Sequence, residues 1–521
     1  MKSMTGCAET GKTIYQVFFI SFFGLLVCAV LLIATTPARA EPVYGGTVRL
    51  GTECDLGRFE ILRTGGLQLI DTAAANLLVH ERLFGMDENG NLIPELALSA
   101  ESSEDGKTWT IKLREGVRFH DGTPFNADAV THHWNRMLDP ENKYRGHVHI
   151  KPIQSVEKVD ETTVRFHLAH AWIPFLAVLT DSRHLAAFIP SPVSADNETQ
   201  NRQPVGTGPF KFLKWEGSDR LVLEKNTGYW QEGKPYLDQI VFIPMPDHQT
   251  RFASLQTGQL EISSLDLGDI IEQAKKIDSL QVLPVDGNGA EIFIFNAAKP
   301  PLDDIRVRQA LAHACNQMLQ IKVGYQGSLP EAEHPFGAGF GCGDVGYREY
   351  DLEKAKKLIA DVPKPIKLEC LHTNTARGRV IGELTQRLFK EIGVELTPVP
   401  LAVAPHMQKV ISGDYQMSTW RIPPRKDMGS ALLAFFHSKS RSNFDHYSNP
   451  EVDRLVVEQL TCTDADERKR MFCQVARIIN EDVPILYRGG RRHHLIFNKH
   501  LKNVSATAEG LIQLRDAWLE E

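Results

Sequence analysis

Short runs of alternating apolar and polar residues open the body of the chain, and helical periods replace them further on. TVRLG (Thr47–Gly51) alternates, and TWTIKLR (Thr108–Arg114) does so more strongly between the turn signals Asp105-Gly106 and Glu115-Gly116. VEKVDETTVRFHL (Val156–Leu168) predicts two strands about a polar Asp160-Glu161 turn. Later the period lengthens: Val307, Ala310, Leu311, Ala314, Met318 and Ile321 fall on one helical face, as do Leu352, Ala355, Leu358 and Ile359. From Pro365 the pattern reads strand (IKLECLHT), helix (Arg379–Ile392, with Ile381, Leu384 and Leu388 inward), then strand (VELTPV) after Gly393. That order requires parallel strands with a covering helix, which makes the fold α/β with a hairpin-rich part early. Helices return from Pro450 to Asn480, opened by Asn449-Pro450 and by Asp464 with Glu467, and HHLIFN predicts a last strand.

The amino-terminal segment obeys a different pattern. No charge occurs from Ile14 to Ala38, and VFFISFFGLLVCAVLLI is apolar on every side. Just before it, GCAETGKT (Gly6–Thr13) spells a phosphate-binding loop, but only five residues precede Gly6 and no strand fits there to deliver one. Lys2 and Lys12, an apolar core, then small residues at Ala38 and Ala40 predict a secretory leader over 1–40, cleaved after Ala40 to leave a periplasmic chain. The alternative is retention as an uncleaved anchor, since about 20 apolar residues span a bilayer. Cys28 does not suit a lipoprotein site, because Val27 precedes it and more apolar residues follow.

Cleavage would leave 481 residues, more than one core holds, so two or three domains are expected. It would remove Lys2, Lys12 and Arg39 against Glu9 and move the net charge from −7 to −9. That charge, with no dense basic run, argues against a nucleic-acid partner. Six cysteines remain: Cys54, Cys315, Cys342, Cys370, Cys462 and Cys473. Export permits disulfides without choosing among the pairings. Cys462 with Cys473 is disfavoured, one at a helix joint and the other well up the next helix, and Cys315 shares a face with Leu311 and Met318 and reads as core. No Cys-x-x-Cys, no His-Glu-x-x-His and no Gly-x-Ser-x-Gly occurs. GAGFGCG (Gly337–Gly343) puts Cys342 where a dinucleotide loop needs glycine and reads as a flexible loop. His147-x-His149 could chelate on a strand but lacks a third ligand, and adjacent His493 and His494 should point to opposite faces of theirs. No catalytic residue, metal site or cofactor is expected.

Motifs of known families add what isolated patterns do not. PELALSAESSEDGKTWTIKLREGVRFHDGTPFNADAV (Pro94–Val130) resembles the signature of the extracytoplasmic solute-binding proteins of family 5, the peptide- and nickel-binding receptors of ABC importers. Further similar stretches follow in family order: PVGTGPFKFLKWE (Pro204–Glu216), NTGYWQEGKPYLDQIVF (Asn226–Phe242), LQTGQLEI (Leu255–Ile262), FIFNAAKPPLDDIRVRQALAHA (Phe293–Ala314), YDLEKAKKLI (Tyr350–Ile359), and AFFHS through NPEVDRLV (Ala434–Val456). The resemblance implies a two-lobed periplasmic binding protein fold, class II-like, with an extra hairpin-rich α/β domain. By analogy, lobe I comprises 41–60, 205–295 and 488–521, the extra domain 61–204, and lobe II 296–487. It also implies a monomeric receptor, not an enzyme, that passes a peptide or other small carboxylate-bearing solute to permease subunits in the inner membrane. A metal chelate or other non-peptide solute on the same fold, a secreted hydrolase and a chaperone-like envelope protein are the alternatives.

In many peptide receptors of that family, an acidic residue shortly after a tryptophan in the second lobe pairs with the peptide's amino group. Here STWRIPPRKDMGSALLAFFHS (Ser418–Ser438) places Arg421 and Arg425 after Trp420 and reaches its first carboxylate only at Asp427. The substitution shifts the expectation toward a ligand carboxylate clamped by Arg421 or Arg425, with Trp420 stacking on the ligand. The opposite wall, by resemblance, is TECDLGRFE, with Glu53, Cys54 and Asp55 as candidates.

Overall fold

One ten-stranded sheet runs through the molecule. In this computed structural model its strands are, in chain order, β1 (Thr47–Thr52), β2 (Phe210–Glu216), β3 (Arg220–Lys225), β4 (Gln239–Pro244), β5 (Ile262–Ser264), β6 (Leu280–Phe295), β7 (Ile366–Thr373), β8 (Val394–Leu401), β9 (Met417–Ile422) and β10 (Ile485–Asn498). The structure describes residues 41–53, 55–60, 62, 70–86, 91–144, 146–181, 186–337, 340–425, 427–507 and 510–520. The chain divides into Met1–Val43 and Tyr44–Glu521, and every element named here belongs to the second unit.

Across the sheet the order is β8-β7-β9-β6-β10-β5-β1-β4-β3-β2. β1 lies parallel to β4 and β5, and β7 lies parallel to β8 and β9. These two parallel groups meet only through β6 and β10, which pair antiparallel from Leu280↔Asn498 to Ile294↔Ile485. The register slips between Gly287 and Ala290 and again between Glu291 and Ile292. Glycines at 287, 289, 489 and 490 crowd this slip. Gly289 has φ +96°, and a Cβ there would lie 2.3 Å from the Ile422 carbonyl oxygen, so only glycine lets β9 end against the bulge.

A second, four-stranded sheet joins Ala97–Ser102, Thr108–Leu113, Thr163–Leu168 and Ile153–Asp160 in that order, all antiparallel. It packs with the Ala127–Leu138 helix around Trp134, Phe166 and Phe175, forming an apolar core drawn from Leu62 to Ile189. Asn126 caps that helix by accepting from the Ala129 N–H. Buried polar contacts fasten this part to the main sheet's flank. Glu81 accepts from Tyr229 Oη (2.7 Å), Trp230 Nε1 (2.8 Å) and Thr207 Oγ1 (2.9 Å), and next to it Arg82 pairs with Glu95 at 2.7 Å.

The alternating runs are strands, and the predicted strand, helix and strand after Pro365 are β7, the Ala376–Lys390 helix and β8, with Ile381, Leu384 and Leu388 buried. The helical face read from Val307 to Ile321 is interrupted. The helix spans Ile305–Ala314, Cys315 is extended, and Asn316 caps a new short helix by accepting from the Leu319 N–H. A strong N-cap residue inside the apolar pattern restarts the helix on a new heading, which leaves Met318 54% exposed while Cys315 and Ile321 stay buried. Cys342 and Cys473 form a disulfide that ties the irregular segment after Leu329 to the Ala465–Asp482 helix. Cys462 is free, as are buried Cys315 and Cys370. His147 and His149 lie on a short 3₁₀ turn, not a strand.

Gly289→Ala is expected to cost on the order of 1–3 kcal/mol for its backbone conformation, plus the clash with Ile422. Gly116→Ala, at φ +77° with open space around it, should show the conformational cost alone. Urea unfolding of both variants checks the order, and equal losses would contradict a steric role for Gly289.

Candidate functional site

Parallel strands leave a crevice beyond their carboxyl ends, where connecting loops part. Here the two parallel groups face one another. β9 ends at Ile422 opposite Ala290, which pairs with Gly490, while β5 ends at Ser264 opposite Leu495. Both ends therefore converge on the Gly490–Leu495 stretch of β10. Glu53 follows β1, Asp266 follows β5, His248 begins the helix after β4, Arg377 lies in the first turn of the helix after β7, and Arg421 sits near the end of β9.

Glu291, opposite Gly489 on β10, is the hub of this region. It pairs with Arg488 Nη2 at 3.1 Å and with Arg491 Nη1, and it accepts from Tyr325 Oη at 3.2 Å. Arg488 also donates to the carbonyls of Ile292 (3.1 Å) and Trp420 (3.2 Å). Burial would raise the Glu291 carboxyl, but the charges of Arg491, Arg488, Arg421 and Arg377 outweigh it and hold the pKa at about 2.

A chain of contacts continues toward β5. Arg491 Nη2 lies 3.0 Å from His493 Nε2, and since a guanidinium only donates, the ring nitrogen accepts. His493 Nδ1 then faces Asp266 Oδ2 at 3.4 Å, and His494 Nδ1 lies 4.0 Å from Asp266 Oδ1. Asp266 lies just beyond the end of short β5, so its carboxylate faces the His493 ring and also accepts from the His494 backbone N–H at 3.2 Å. Burial would raise Asp266 as well, but the His493 hydrogen bond and the nearby positive charges hold it well below the usual carboxylate range. Arg377 donates to the Asp266 carbonyl at 3.2 Å and lies over the Tyr325 ring.

Among the expected ligand contacts, Arg421 lies on this charged face, beside Glu291 in register. It is exposed, yet desolvation and then the like charge of Arg491 lower its pKa while Glu291 and Glu53 pull the other way. Among the described residues no carboxylate is within ion-pairing distance of Arg421. Trp420 points to the opposite face, edge-on to Phe444 at 5.6 Å and 6.0 Å from His406. Arg425 exchanges two backbone hydrogen bonds with the Asn288 side chain, and its charge acts on His149, whose pKa burial and then Arg425 push down to about 4. Asp427 caps the Met428–Phe436 helix through the Ser430 N–H (2.8 Å) and pairs with Arg468 at 2.5 Å, which occupies both of its oxygens. Glu53 is exposed, its backbone N–H donating to Asp71 at 3.2 Å and its carboxylate 4.0 Å from His248 Nε2. Asp55 accepts from Ser218 Oγ at 2.7 Å, toward the β2–β3 turn, and Cys54 lies outside the described residues.

Sequence reasoning named Glu53, which follows β1, and Arg421, near the end of β9, and passed over Glu291, Asp266, Arg377, Arg488 and Arg491. The available signal for Glu291 was a lone charge in the otherwise apolar run EIFIF.

Residues 91–444 match the family model described as bacterial extracellular solute-binding proteins, family 5 middle. The chain belongs to this family. The glutathione-binding protein GsiB of Pectobacterium atrosepticum is 30% identical over 460 residues, covering 85% of this chain and 88% of that protein. Two solved structures superpose on nearly the whole fold. One is a dipeptide-binding protein from Pseudoalteromonas in complex with Met-Leu (TM-score 0.80, 22% identity, 91% of this chain and 100% of the other). The other is the periplasmic binding protein DppA of Helicobacter pylori with the peptide STSA (TM-score 0.79, 25% identity, 92% and 99%). This family 5 chain is a solute-binding protein of the ABC-importer class with a two-lobed binding-protein fold, and the relatives named are receptors rather than enzymes.

Glu291→Gln should leave Arg488 and Arg491 without their carboxylate and cost about 3–5 kcal/mol at neutral pH. The Glu291 pKa is depressed from 4.5, so its contribution is complete above that value and is lost as pH falls toward about 2. The variant's stability should therefore fall less steeply than the parent's over that window, as read by urea unfolding at several pH values. Parallel acid limbs would show that Glu291 is not the titrating partner.

Proposed function

We propose that this family 5 receptor captures a peptide or other small carboxylate-bearing solute in the crevice between its two lobes and passes it to the permease of an ABC importer. The observation that carries the ligand class is Arg421, an exposed charged side chain near the end of β9 that forms no ion pair among the described residues. Closure around a ligand lowers the local dielectric and strengthens such a pairing. The ligands named for the relatives, glutathione and short peptides, all bear carboxylates. Arg425, whose backbone is held by Asn288, is the weaker candidate for the clamp, and Trp420 contributes through the apolar layer behind it.

The lobe assignment at 41–60, 205–295 and 488–521, at 61–204 and at 296–487 draws support from the apolar cores. One core is confined to Leu62–Ile189, and two others are drawn from Ala290 to Tyr487. The remaining cores join the chain's start to 210–285 and to its end, with Ala74–Val79 packed alongside. The receptor acts as a monomer in the periplasm after loss of residues 1–40. The leader pattern supports that reading, and those residues lie outside the structure described.

Thermal shift against peptides, glutathione, organic acids and metal chelates tests the ligand class. A true ligand at a hundredfold excess over its Kd should add about 2.7 kcal/mol to stability. Stabilisation only by metal chelates or by purely cationic solutes would overturn the reading. Intact-mass measurement of envelope-extracted protein should show a chain beginning at Glu41, and a mass retaining the leader would place the receptor on a membrane anchor.

A further inference from the structure

Away from the crevice, a second cavity lies in the part of the fold built on β7, β8 and β9. The crevice opens where β9 ends, with Ile422 opposite Ala290, whereas β9 begins at Met417 opposite Phe295, about 17 Å back along the strands. The segment 437–448 is fastened beyond that far end. The Ala297 N–H donates to the Asp445 carbonyl at 2.8 Å, and Asn296 Nδ2 donates to the carbonyls of Gly413 and Tyr415 at 3.2 and 3.1 Å. Tyr415 Oη in turn donates to the Phe444 carbonyl. Asn443 braces the segment from within, donating to the carbonyls of His437 and Tyr447 and accepting from the Tyr447 N–H. Its own bonds therefore shape the loop.

Between this loop and Ile411, the last residue of the Val403–Ile411 helix, lies a cavity of about 340 Å³, the size of a small-molecule site. Arg441, His446 and Ser448 line it, and all three are exposed. Among the described residues their side chains form no hydrogen bond or ion pair. The His446 ring lies over Gly413, where a Cβ would come within 2.9 Å of Nε2, so the glycine leaves room for it. Among the described residues no carboxylate lines the cavity. Asp445, the one acidic residue of 437–448, is buried, Asp453 accepts from Ser438, and Asp414 is paired with Lys409. On a chain of net charge −7 this is a locally cationic hollow.

We propose that Arg441, His446 and Ser448 form a second binding site, separate from the solute crevice, for a phosphate group. Guanidinium, imidazole and hydroxyl all donate hydrogen bonds. A tetrahedral phosphate turns oxygens in several directions toward such a mixed set, whereas a carboxylate offers two oxygens in one plane, suited to a single guanidinium fork. The cavity is larger than a bare phosphate and leaves space for the group that carries it. Such a phosphate comes either free or as the phosphodiester of a lipid head group.

Calorimetry on the full-length protein at constant ionic strength, with inorganic phosphate and with glycerophosphoglycerol as a soluble phosphodiester head group, separates the two sources. Binding of either probe is the expected result. Arg441→Gln should weaken it about tenfold, the scale of one charge-assisted hydrogen bond, and His446→Gln should weaken it as well. Lys439→Gln removes a charge from the same loop without touching the cavity, and Arg421→Gln removes one at the crevice; both should leave the affinity unchanged. All four positions are exposed, and circular dichroism verifies the fold of each variant. Equal weakening by Lys439→Gln would reduce the effect to diffuse charge, and loss in Arg421→Gln would move the anion to the crevice. Either result, or no binding of both probes, would overturn the phosphate site and leave the receptor reading in place.

Discussion

A buried carboxylate between two arginines holds the middle of this molecule. Glu291 sits on the central pair of strands, since the two parallel groups of the sheet are joined through β6 and β10. That crossing is rich in glycine and slips in register, so side-chain packing alone specifies it poorly. The charges supply the missing specification. Shifting β10 by one residue would send Arg488 and Arg491 to the other face and leave a charge buried alone, a far larger penalty than a lost methyl contact. Tyr325 and the Trp420 carbonyl join the same network, so one carboxylate aligns β6, β10, β9 and the turn after the Ile305–Ala314 helix.

From that alignment the crevice follows. Because β1, β4 and β5 run against β7, β8 and β9 across the crossing, their carboxyl ends point at each other. Side chains that follow those ends, Glu53, His248, Asp266, Arg377 and Arg421, come from five distant parts of the chain and share one space. The core built around Trp134 and Phe166 stays clear of this geometry and is fastened at the flank by Glu81, which accepts from Tyr229, Trp230 and Thr207. Residues that terminate strands are free to vary without disturbing a core.

Local features were legible in the chain before any coordinates. Alternation in TWTIKLR, the turn at Asp160-Glu161, the capping residues Asn449 and Asp464, and the parallel unit after Pro365 each lie within a window of a few to thirty residues. The backbone's own periods of 2 and 3.6 operate at that range. The family signature was equally local, a series of short motifs in order. Arg421 and Glu53 were named from stretches that the same resemblance places along the ligand. The interruption at Asn316 was also local and was missed, since the apolar period hid a capping residue.

What the sequence determined by itself was therefore the class of fold and the family. Tertiary structure alone decided which charges meet. Glu291 finds Arg488 and Arg491 across separations of 197 and 200 residues, and Cys342 finds Cys473 across 131. Asp427 is drawn away from the crevice by Arg468, 41 residues further on, and Trp420 is turned from Arg421 by the pleat of one strand. Such pairings depend on the register in which two remote strands cross. Local patterns state which face of a strand is apolar, and leave open which strand will lie beside it.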